Sequence, residues 1–339
     1  MGATLRPVRG GRASAPGCAP RRSARREGEP VSVQVVPGTA NAALATGVAA
    51  ALGVAAVSYD LQRFPDGELR PTLGHLRGED VYVVQPTGPP VNEHLVELLL
   101  LLDACRRAGA ARVTAVVPYF GYARQDRRSR SGEAVGARVV ADALRAVHAD
   151  RLVVVDPHTA ALEAISAVPC DMLSAVPVLA AALRPTLTAD AVLVAADLGA
   201  VKLAERYASH LGRQVAVVRK TRLSGEAVRA HEVVGDVRDR PTVIVDDMIS
   251  TGATIEAAIG VLRAAGATPK ITVAATHGPL VAEAADRIAA LGVRNILVTD
   301  TLPGADSALV HHCSVADLLA DAIRRLAEHR PLDELLLRT

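Results

Sequence analysis

The sequence predicts an α/β fold in which parallel sheets are flanked by helices on both faces. Three observations lead to this fold class. Half of the 339 residues are apolar (50%), which is enough to fill a sizeable core and excludes a disordered chain. From Val31 onward, short apolar runs alternate with helical stretches. One strand–helix–strand unit of this series also recurs later in the chain.

The predicted strands are short, largely apolar runs, as expected for strands of a parallel sheet that is covered on both faces. They are Val31–Val36, Asp80–Gln85, Arg112–Pro118, Leu152–Asp156, Ala191–Ala195, Gln214–Val218, Thr242–Asp246, Ile271–Ala275 and Asn295–Thr299.

The recurring unit predicts two similar domains. The strands that begin at Asp80 and Thr242 are each followed by a Thr-Gly loop, a helix, an Ala-Gly-Ala tripeptide and another apolar strand. We therefore predict a duplicated domain, with an N-terminal copy at residues 31–175 and a C-terminal copy at residues 176–339, whose last helix could pack back on the first. The alternative is that βαβ units in general resemble one another.

Residues 1–30 differ from the rest of the chain. They are rich in Arg, Gly, Pro and Ser, and they lack the apolar stretch of a secretory signal. This composition predicts a disordered basic tail, with an organelle transit peptide as the alternative.

The overall composition argues against nucleic acid and membranes as partners. The 38 basic and 36 acidic residues leave a net charge of +2, and aromatic residues make up 2% with no Trp, so stacking platforms for single-stranded nucleic acid are scarce. The longest apolar run, Leu95–Leu102, contains Glu97 and is too short to span a bilayer.

The cysteines favour a reducing compartment. No two of them are spaced in sequence as in a zinc-binding or redox motif. We therefore expect a cytoplasmic protein. The cysteines are Cys18, Cys105, Cys170 and Cys313.

The strongest functional signal is the segment Val243–Thr254, with the sequence VIVDDMISTGAT. An apolar strand delivers Asp246 and Asp247 to the carboxyl edge of a sheet, where open α/β sheets bind ligands. The following loop, Ser250–Thr254, offers hydroxyls and the N–H groups of a helix start, which suit a phosphate monoester. Two acids at the end of a buried strand are costly without a ligand, and we expect them to accept hydrogen bonds from sugar hydroxyls.

This segment resembles the phosphoribosyl-diphosphate (PRPP) binding motif of type I phosphoribosyltransferases and of ribose-phosphate diphosphokinases. The resemblance implies two domains of the type I phosphoribosyltransferase fold and a ribose 5-phosphate site. The residues of that site would be Asp246, Asp247, Ser250, Thr251, Gly252, Ala253 and Thr254.

Two segments of the first half favour the diphosphokinase. Arg63–Glu68 (RFPDGE) resembles the loop that contacts adenine in that family, and Pro118–Arg127 (PYFGYARQDR) resembles its ATP-binding stretch. The family's adenine loop reaches into a neighbouring subunit, which implies a homo-oligomer built from dimers, up to a hexamer. The implied ATP-binding residues are Phe64, Asp66, Glu68, Arg124, Gln125 and Arg127.

The same resemblance implies a magnesium site and a catalytic loop. His158, after the strand that ends at Asp156, and Asp197 match the family's metal-binding positions. Lys220 and Arg222 match a catalytic Lys and Arg two residues apart. Mg²⁺ normally prefers oxygen ligands, so the histidine would be an unusual one.

The resemblance therefore implies diphosphoryl transfer from MgATP to ribose 5-phosphate, giving PRPP and AMP. Two alternatives remain at this point: a phosphoribosyltransferase that uses PRPP, and a non-catalytic regulatory subunit of such a synthetase. Departures from the family pattern indicate a divergent branch. Pro157 stands where Leu is usual, Ala195-Ala196 where Ser-Pro is usual, and Ala253 where Gly is usual.

Overall fold

The computed structural model describes residues 32–223, 228–281, 283–304 and 307–337, and only the backbone of 220–223 and 228–231. The predicted basic tail at residues 1–30 lies outside the described residues. Within the described ranges, every helix is too short or too polar to cross a bilayer.

Strands and helices alternate through most of the chain. The strands are β1 (Val33–Pro37), β2 (Asp60–Arg63), β3 (Leu69–Thr72), β4 (Asp80–Val84), β5 (Arg112–Val117), β6 (Arg151–Val155), β7 (Cys170–Leu173), β8 (Val192–Ala195), β9 (Gln214–Leu223), β10 (Val228–Val234), β11 (Thr242–Met248), β12 (Ile271–His277), β13 (Asn295–Thr299) and β14 (Val310–Cys313). The helices are α1 (Ala42–Leu52), α2 (Val91–Arg107), α3 (Gly136–Ala146), α4 (Leu162–Ile165), α5 (Val176–Leu183), α6 (Val201–Leu211), α7 (Ala253–Ala264), α8 (Ala284–Ala290) and α9 (Ala316–Ala327).

The first sheet is five-stranded, in the order β1-β4-β5-β6-β7, and every pairing in it is parallel. Helices α2, α3 and α4 bury apolar side chains such as Leu98 and Leu144 against one face. Helices α1 and α9 cover the other face with side chains such as Leu44 and Leu319. Helix α9 comes from the end of the chain, and Arg324 donates a hydrogen bond to the Ala51 carbonyl at the end of α1 (3.0 Å).

The second sheet is seven-stranded, in the order β10-β9-β8-β11-β12-β13-β14. Strands β9, β8, β11, β12, β13 and β14 are all parallel. The edge strand β10 pairs with β9 in antiparallel fashion. Helices α7 and α8 pack on one face through side chains such as Ile259 and Ile288. Helices α5 and α6 pack on the other through side chains such as Leu179 and Tyr207.

The predicted fold class is confirmed, because the five-stranded parallel core occurs twice. The series β8-β11-β12-β13-β14 repeats the order and direction of β1-β4-β5-β6-β7. In each copy an antiparallel hairpin, β2-β3 or β9-β10, precedes the second strand of the core. The division at residues 175 and 176 stays a prediction.

Each strand predicted from the sequence has a counterpart in the two sheets, but five strands were missed. The edge strands β7 and β14 have only four residues each, and the hairpin strands β2 and β3 are polar and also short. Strand β9 runs past its predicted end at Val218 to Leu223, where it pairs with β10. The prediction that the chain leaves the strand near Arg219 is therefore wrong.

Candidate active site

The paired acids lie at the carboxyl edge of the second sheet, as the motif predicted. Asp246 and Asp247 are the fifth and sixth residues of β11 (Thr242–Met248) and are half-buried. The loop after them is fixed by its backbone, because the Ile249 N–H donates to the His277 carbonyl (2.9 Å) and the Val281 N–H to the Ser250 carbonyl (3.1 Å). The acids and the start of α7 therefore have a defined relative position.

The turn into α7 depends on one glycine. Gly252 has a φ of 79°, in the left-handed region that favours glycine, and a Cβ there would lie 3.1 Å from the Ile288 Cδ1. Ala253, which stands where the family commonly has Gly, is the first residue of the helix. Its methyl group therefore does not have to fit a left-handed backbone.

A cavity of about 270 Å³ brings most of the predicted sugar and metal residues together. It combines residues from both halves of the chain, which no local pattern could place side by side. Its lining includes Arg124, His158, Asp197, Asp246, Asp247, Ser250, Thr251, Gly252, Ala253 and Thr254.

A contact between the two halves crosses this cavity. The His158 Nδ1 lies 2.5 Å from the Asp247 Oδ2, and the two residues are 89 positions apart in sequence. The hydrogen bond to Asp247 raises the pKa of His158. Burial alone would raise the pKa of Asp247, but the hydrogen bond and charge of His158 outweigh it, and the pKa falls below its ordinary value. In this contact the Nδ1–H of His158 donates to the Asp247 carboxylate, which leaves Nε2 as the ring nitrogen that could bind a metal ion.

Asp246 behaves in the opposite way. Burial, followed by the negative charge of Asp247, raises its pKa from 3.8 to about 8. Its Oδ1 accepts the Asp247 N–H at 2.9 Å. Two adjacent carboxyls whose pKa values are pushed apart are typical of a functional site.

The donor set for Mg²⁺ is sparse but chemically suitable. Within the described ranges, no group of three or more His, Cys, Asp or Glu side chains could hold a metal ion. Asp197 and His158 line the same cavity, and the Asp197 Oδ1 accepts N–H groups of Gly199 (2.8 Å) and Ala200 (3.2 Å). Magnesium in nucleotide sites is commonly held by one or two protein ligands together with substrate phosphates and water. The residues present fit an ion that arrives with a nucleotide better than a permanently bound one.

A second cavity, of about 360 Å³, adjoins the first through Arg124 and Met248, which line both. Three of its other lining residues are aromatic: Tyr119, Phe120 and Tyr122. Gln125, predicted to contact the nucleotide, also lines it. An aromatic-walled space with an arginine at the junction suits a base and its first phosphate.

Some of the predicted ATP-binding residues lie away from these cavities. Phe64, Asp66 and Glu68 are in the turn between β2 and β3, where the Asp66 carboxylate accepts the Glu68 N–H at 3.2 Å. The side chain of Arg127 is 87% exposed, beside Asp126. None of these four residues lines either cavity, and their roles stay predictions.

The predicted catalytic residues cannot be placed in the site. The backbone of Lys220 and Arg222 lies on β9, but their side chains lie outside what the structure describes. Their assignment stays a prediction from the sequence.

A further cavity, of about 500 Å³, includes residues that the sequence did not single out. Lys202 and Arg206, one helical turn apart on α6, line it together with Asp156. It shares His158 with the sugar-side cavity. In the sequence, these residues could have been found only from the i, i+4 spacing of two basic residues shortly after Asp197. This spacing is weak evidence for a site, because many exposed helices have it.

Comparison with known proteins agrees with this geometry. Residues 33–147 match the family described as the N-terminal domain of ribose phosphate pyrophosphokinase, and residues 226–337 match the phosphoribosyl synthetase-associated domain.

Individual relatives match over most of the chain. A ribose-phosphate pyrophosphokinase of Burkholderia pseudomallei is 38% identical, with 87% of this chain and 94% of the relative covered. One of Gloeobacter violaceus is 39% identical, covering 87% and 90%. The crystal structure of phosphoribosylpyrophosphate synthetase from Mycobacterium smegmatis superposes with a TM-score of 0.82 at 37% identity, over 88% of this chain and 99% of that one. The chain therefore belongs to the ribose-phosphate pyrophosphokinase family.

Proposed function

We propose that the protein transfers the diphosphoryl group of MgATP to the anomeric hydroxyl of ribose 5-phosphate, giving PRPP and AMP. The observation that carries the proposal is the junction of two cavities at Arg124. One cavity has the paired acids and a helix start, and the other has aromatic walls. A sugar phosphate and a nucleotide bound in them would meet at the arginine.

The second half of the chain would bind the sugar. Asp246 and Asp247 would accept hydrogen bonds from the ribose hydroxyls, and the Ser250–Thr254 loop would hold the 5-phosphate. The N-terminal N–H groups of α7 and its helix dipole favour an anion at that position. Asp246 is expected to lose its proton when Mg²⁺ and substrate bring positive charge and hydrogen-bond donors near it.

The first half would bind the nucleotide. Gln125 and Arg124 would contact ATP, with the guanidinium placed between nucleotide and sugar. Because Arg is always charged and presents several fixed donors, it suits a bridging phosphate. His158 and Asp197 would hold Mg²⁺, which when bound neutralises phosphate charge and so lets an oxygen nucleophile approach.

The reaction itself would be an in-line displacement. The anomeric oxygen attacks the β-phosphorus of ATP, the bond from this phosphorus to the α-phosphate oxygen breaks, AMP leaves, and the proton of the anomeric hydroxyl passes to solvent. Such transfers depend mainly on positioning and on charge stabilisation. Lys220 and Arg222 are proposed to stabilise the transferring group, on the resemblance of their segment to the family's catalytic loop.

We also propose a cytoplasmic homo-oligomer built from dimers. Phe64, Asp66 and Glu68 line neither of the two cavities of their own chain, which is consistent with a hairpin that completes a neighbour's nucleotide site. The test is to mix an Asp66→Ala variant with an Asp247→Ala variant. Activity above that of either variant alone would support a shared site, and its absence at every mixing ratio would oppose it.

Release of AMP tests the proposed reaction. The full chain is incubated with ATP, Mg²⁺ and ribose 5-phosphate, and parallel reactions contain unphosphorylated ribose or excess EDTA. We expect AMP only when ribose 5-phosphate and the metal are both present. A full chain that never releases sugar-dependent AMP would contradict the proposal. Release of pyrophosphate from PRPP in the presence of a nucleobase would instead indicate a phosphoribosyltransferase.

A further inference from the structure

The two halves of the chain also meet in a buried set of polar side chains behind the active site. Asp156 follows β6 of the first sheet, and Thr276 and His277 end β12 of the second. Thr301 follows β13. All four are at most 4% exposed. We call Asp156, Thr276, His277 and Thr301 the polar cluster.

Asp156 is held from several sides. Its Oδ2 accepts hydrogen bonds from the Ala175 N–H and from the Thr276 hydroxyl, both at 2.8 Å. The Arg206 guanidinium lies 4.0 Å from its Oδ1. The backbone N–H of Asp156 donates to the Leu173 carbonyl at 2.9 Å. These contacts fix the positions of both the side chain and the backbone of Asp156.

His277 holds the carbonyl side of the same turn. Its Nε2 lies 3.1 Å from the Val155 carbonyl and 3.2 Å from the Asp156 carbonyl, so this nitrogen carries the hydrogen. Its Nδ1 then accepts from the Thr301 hydroxyl at 2.8 Å. The ring also contacts the edge of Tyr119, at 5.1 Å between centroids. The neutral tautomer satisfies every one of these contacts.

The turn that the cluster holds is strained. Asp156 has a φ of 33°, in the region that non-glycine residues rarely occupy. A residue in such a conformation costs about 1–3 kcal/mol and persists where the surroundings over-determine it, often at functional sites. Two residues later, His158 contacts Asp247.

The register of the second sheet links the cluster to the acids. On β12, Ala275 pairs with Asp246, and His277 pairs with Met248. Thr276 therefore lies beside Asp247 on the neighbouring strand. We propose that Asp156, Thr276 and His277 are positioning residues, which fix His158 relative to Asp247 and so set the geometry of the proposed metal site. Only the expected effect on Mg²⁺ dependence rests on the proposed function. The positioning of His158 relative to Asp247 does not.

A hydroxyl deletion tests the proposal. Thr276→Val removes the hydrogen bond to Asp156 at nearly constant volume, and Thr276→Ser keeps it. Thr272→Val is the matched control, because Thr272 is also buried on β12 but at the opposite end of the strand. Two quantities are measured on the full chain. One is the amide hydrogen exchange of the segment 153–165, and the other is the Mg²⁺ concentration for half-maximal AMP release.

We expect Thr276→Val to exchange roughly tenfold faster in this segment and to need roughly tenfold more Mg²⁺, the scale found when partners of metal ligands are removed. The KM values for both substrates at saturating Mg²⁺ should stay within about twofold. Thr276→Ser and Thr272→Val should resemble the unsubstituted chain.

Exchange in Thr276→Val that equals exchange in Thr272→Val would overturn the proposal. A change in exchange with unaltered Mg²⁺ dependence would also overturn it, because the cluster would then be only structural. If the unsubstituted chain releases no sugar-dependent AMP, the proposed function fails, and the exchange comparison still decides whether the cluster holds the His158 turn.

Discussion

Replacing Asp246 with Asn is expected to stabilise the protein at alkaline pH and to weaken its activity. The carboxyl of Asp246 is buried beside Asp247, and its pKa is raised to about 8. In the unfolded chain the same group titrates near its ordinary value of 3.8. Folding is therefore opposed by the ionised form. This destabilisation is absent at pH values below the pKa of Asp246 in the unfolded chain. It grows with pH between the pKa values of the unfolded and folded states, and it is constant above the pKa of the folded state.

The magnitude follows from the size of the shift. One pKa unit corresponds to about 1.4 kcal/mol, but solvent reaches the half-buried carboxyl and screens part of this cost. We expect Asp246→Asn to gain about 2 kcal/mol of unfolding free energy at alkaline pH, or roughly 3 °C in Tm for a chain of this length. The Asn Oδ1 can still accept the Asp247 N–H, so the local backbone is kept.

Thermal unfolding between about pH 4.5 and pH 8.5, without Mg²⁺ or substrates, measures this effect. The difference in Tm between Asp246→Asn and the unsubstituted chain should be small at the acidic end and should grow with pH. Asp286→Asn, at an exposed aspartate, is the control and should show no such growth. A difference that is independent of pH, or a variant less stable at pH 8.5, would refute the reasoning. The kcat/KM for ribose 5-phosphate should fall about 10- to 100-fold, because a charged hydrogen-bond acceptor is lost.

Three further predictions concern the loop, the helix start and the N-terminal residues. Lys220→Ala should lower kcat on the order of 10²–10³ with KM values within a few-fold. Arg219→Ala is its control, and an unchanged kcat for Lys220→Ala would remove that lysine from the mechanism. Gly252→Ala should raise the KM for ribose 5-phosphate and cost about 1 kcal/mol of stability, whereas Ala253→Gly should leave this KM unchanged. Equal effects of the two substitutions on KM would contradict the left-handed backbone conformation of Gly252. Deleting residues 1–30 should leave the kinetic constants unchanged, and a folded but inactive product would show that these residues are needed.

The fold class was predictable because the central strands carry their own signal. A strand buried on both faces is largely apolar, and β4, β8 and β12, which are buried along their whole length, are apolar in their central residues. Edge strands lack this constraint. Strand β14, with the sequence VHHC, has only its first residue fully buried. Its strand conformation comes from pairing with β13, which the local sequence does not report.

The candidate site was predictable only where one segment holds its parts. The motif at Val243–Thr254 contains the acids, the loop and the helix start in a single stretch. The contact of His158 with Asp247 joins residues 89 positions apart, and the family resemblance suggested the residues but not their pairing. The polar cluster was missed for the same reason. Strand β12 was predicted to end at Ala275, so Thr276 and His277 were not recognised as its buried carboxyl end.

The duplicated fold raises the question of why only one copy has the proposed phosphate-binding loop, and the segments before the corresponding helices differ. The first copy ends its strand with Val84-Gln85-Pro86, where the second has Val245-Asp246-Asp247. Gln85 is fully buried, and its side chain accepts the Ala40 N–H at 3.0 Å.

Helix α2 in the first copy starts after Pro89-Pro90, which have no N–H to donate, whereas α7 starts at Gly252-Ala253 with its N–H groups intact. The start of α2 therefore keeps the N–H groups of Val91, Asn92 and Glu93 but lacks those of the two residues before them, which the start of α7 retains. The same backbone geometry thus carries the proposed sugar-phosphate site in one copy. In the other copy an internal glutamine and two prolines stand at the corresponding positions, and the cavity near Tyr119 lies beside them.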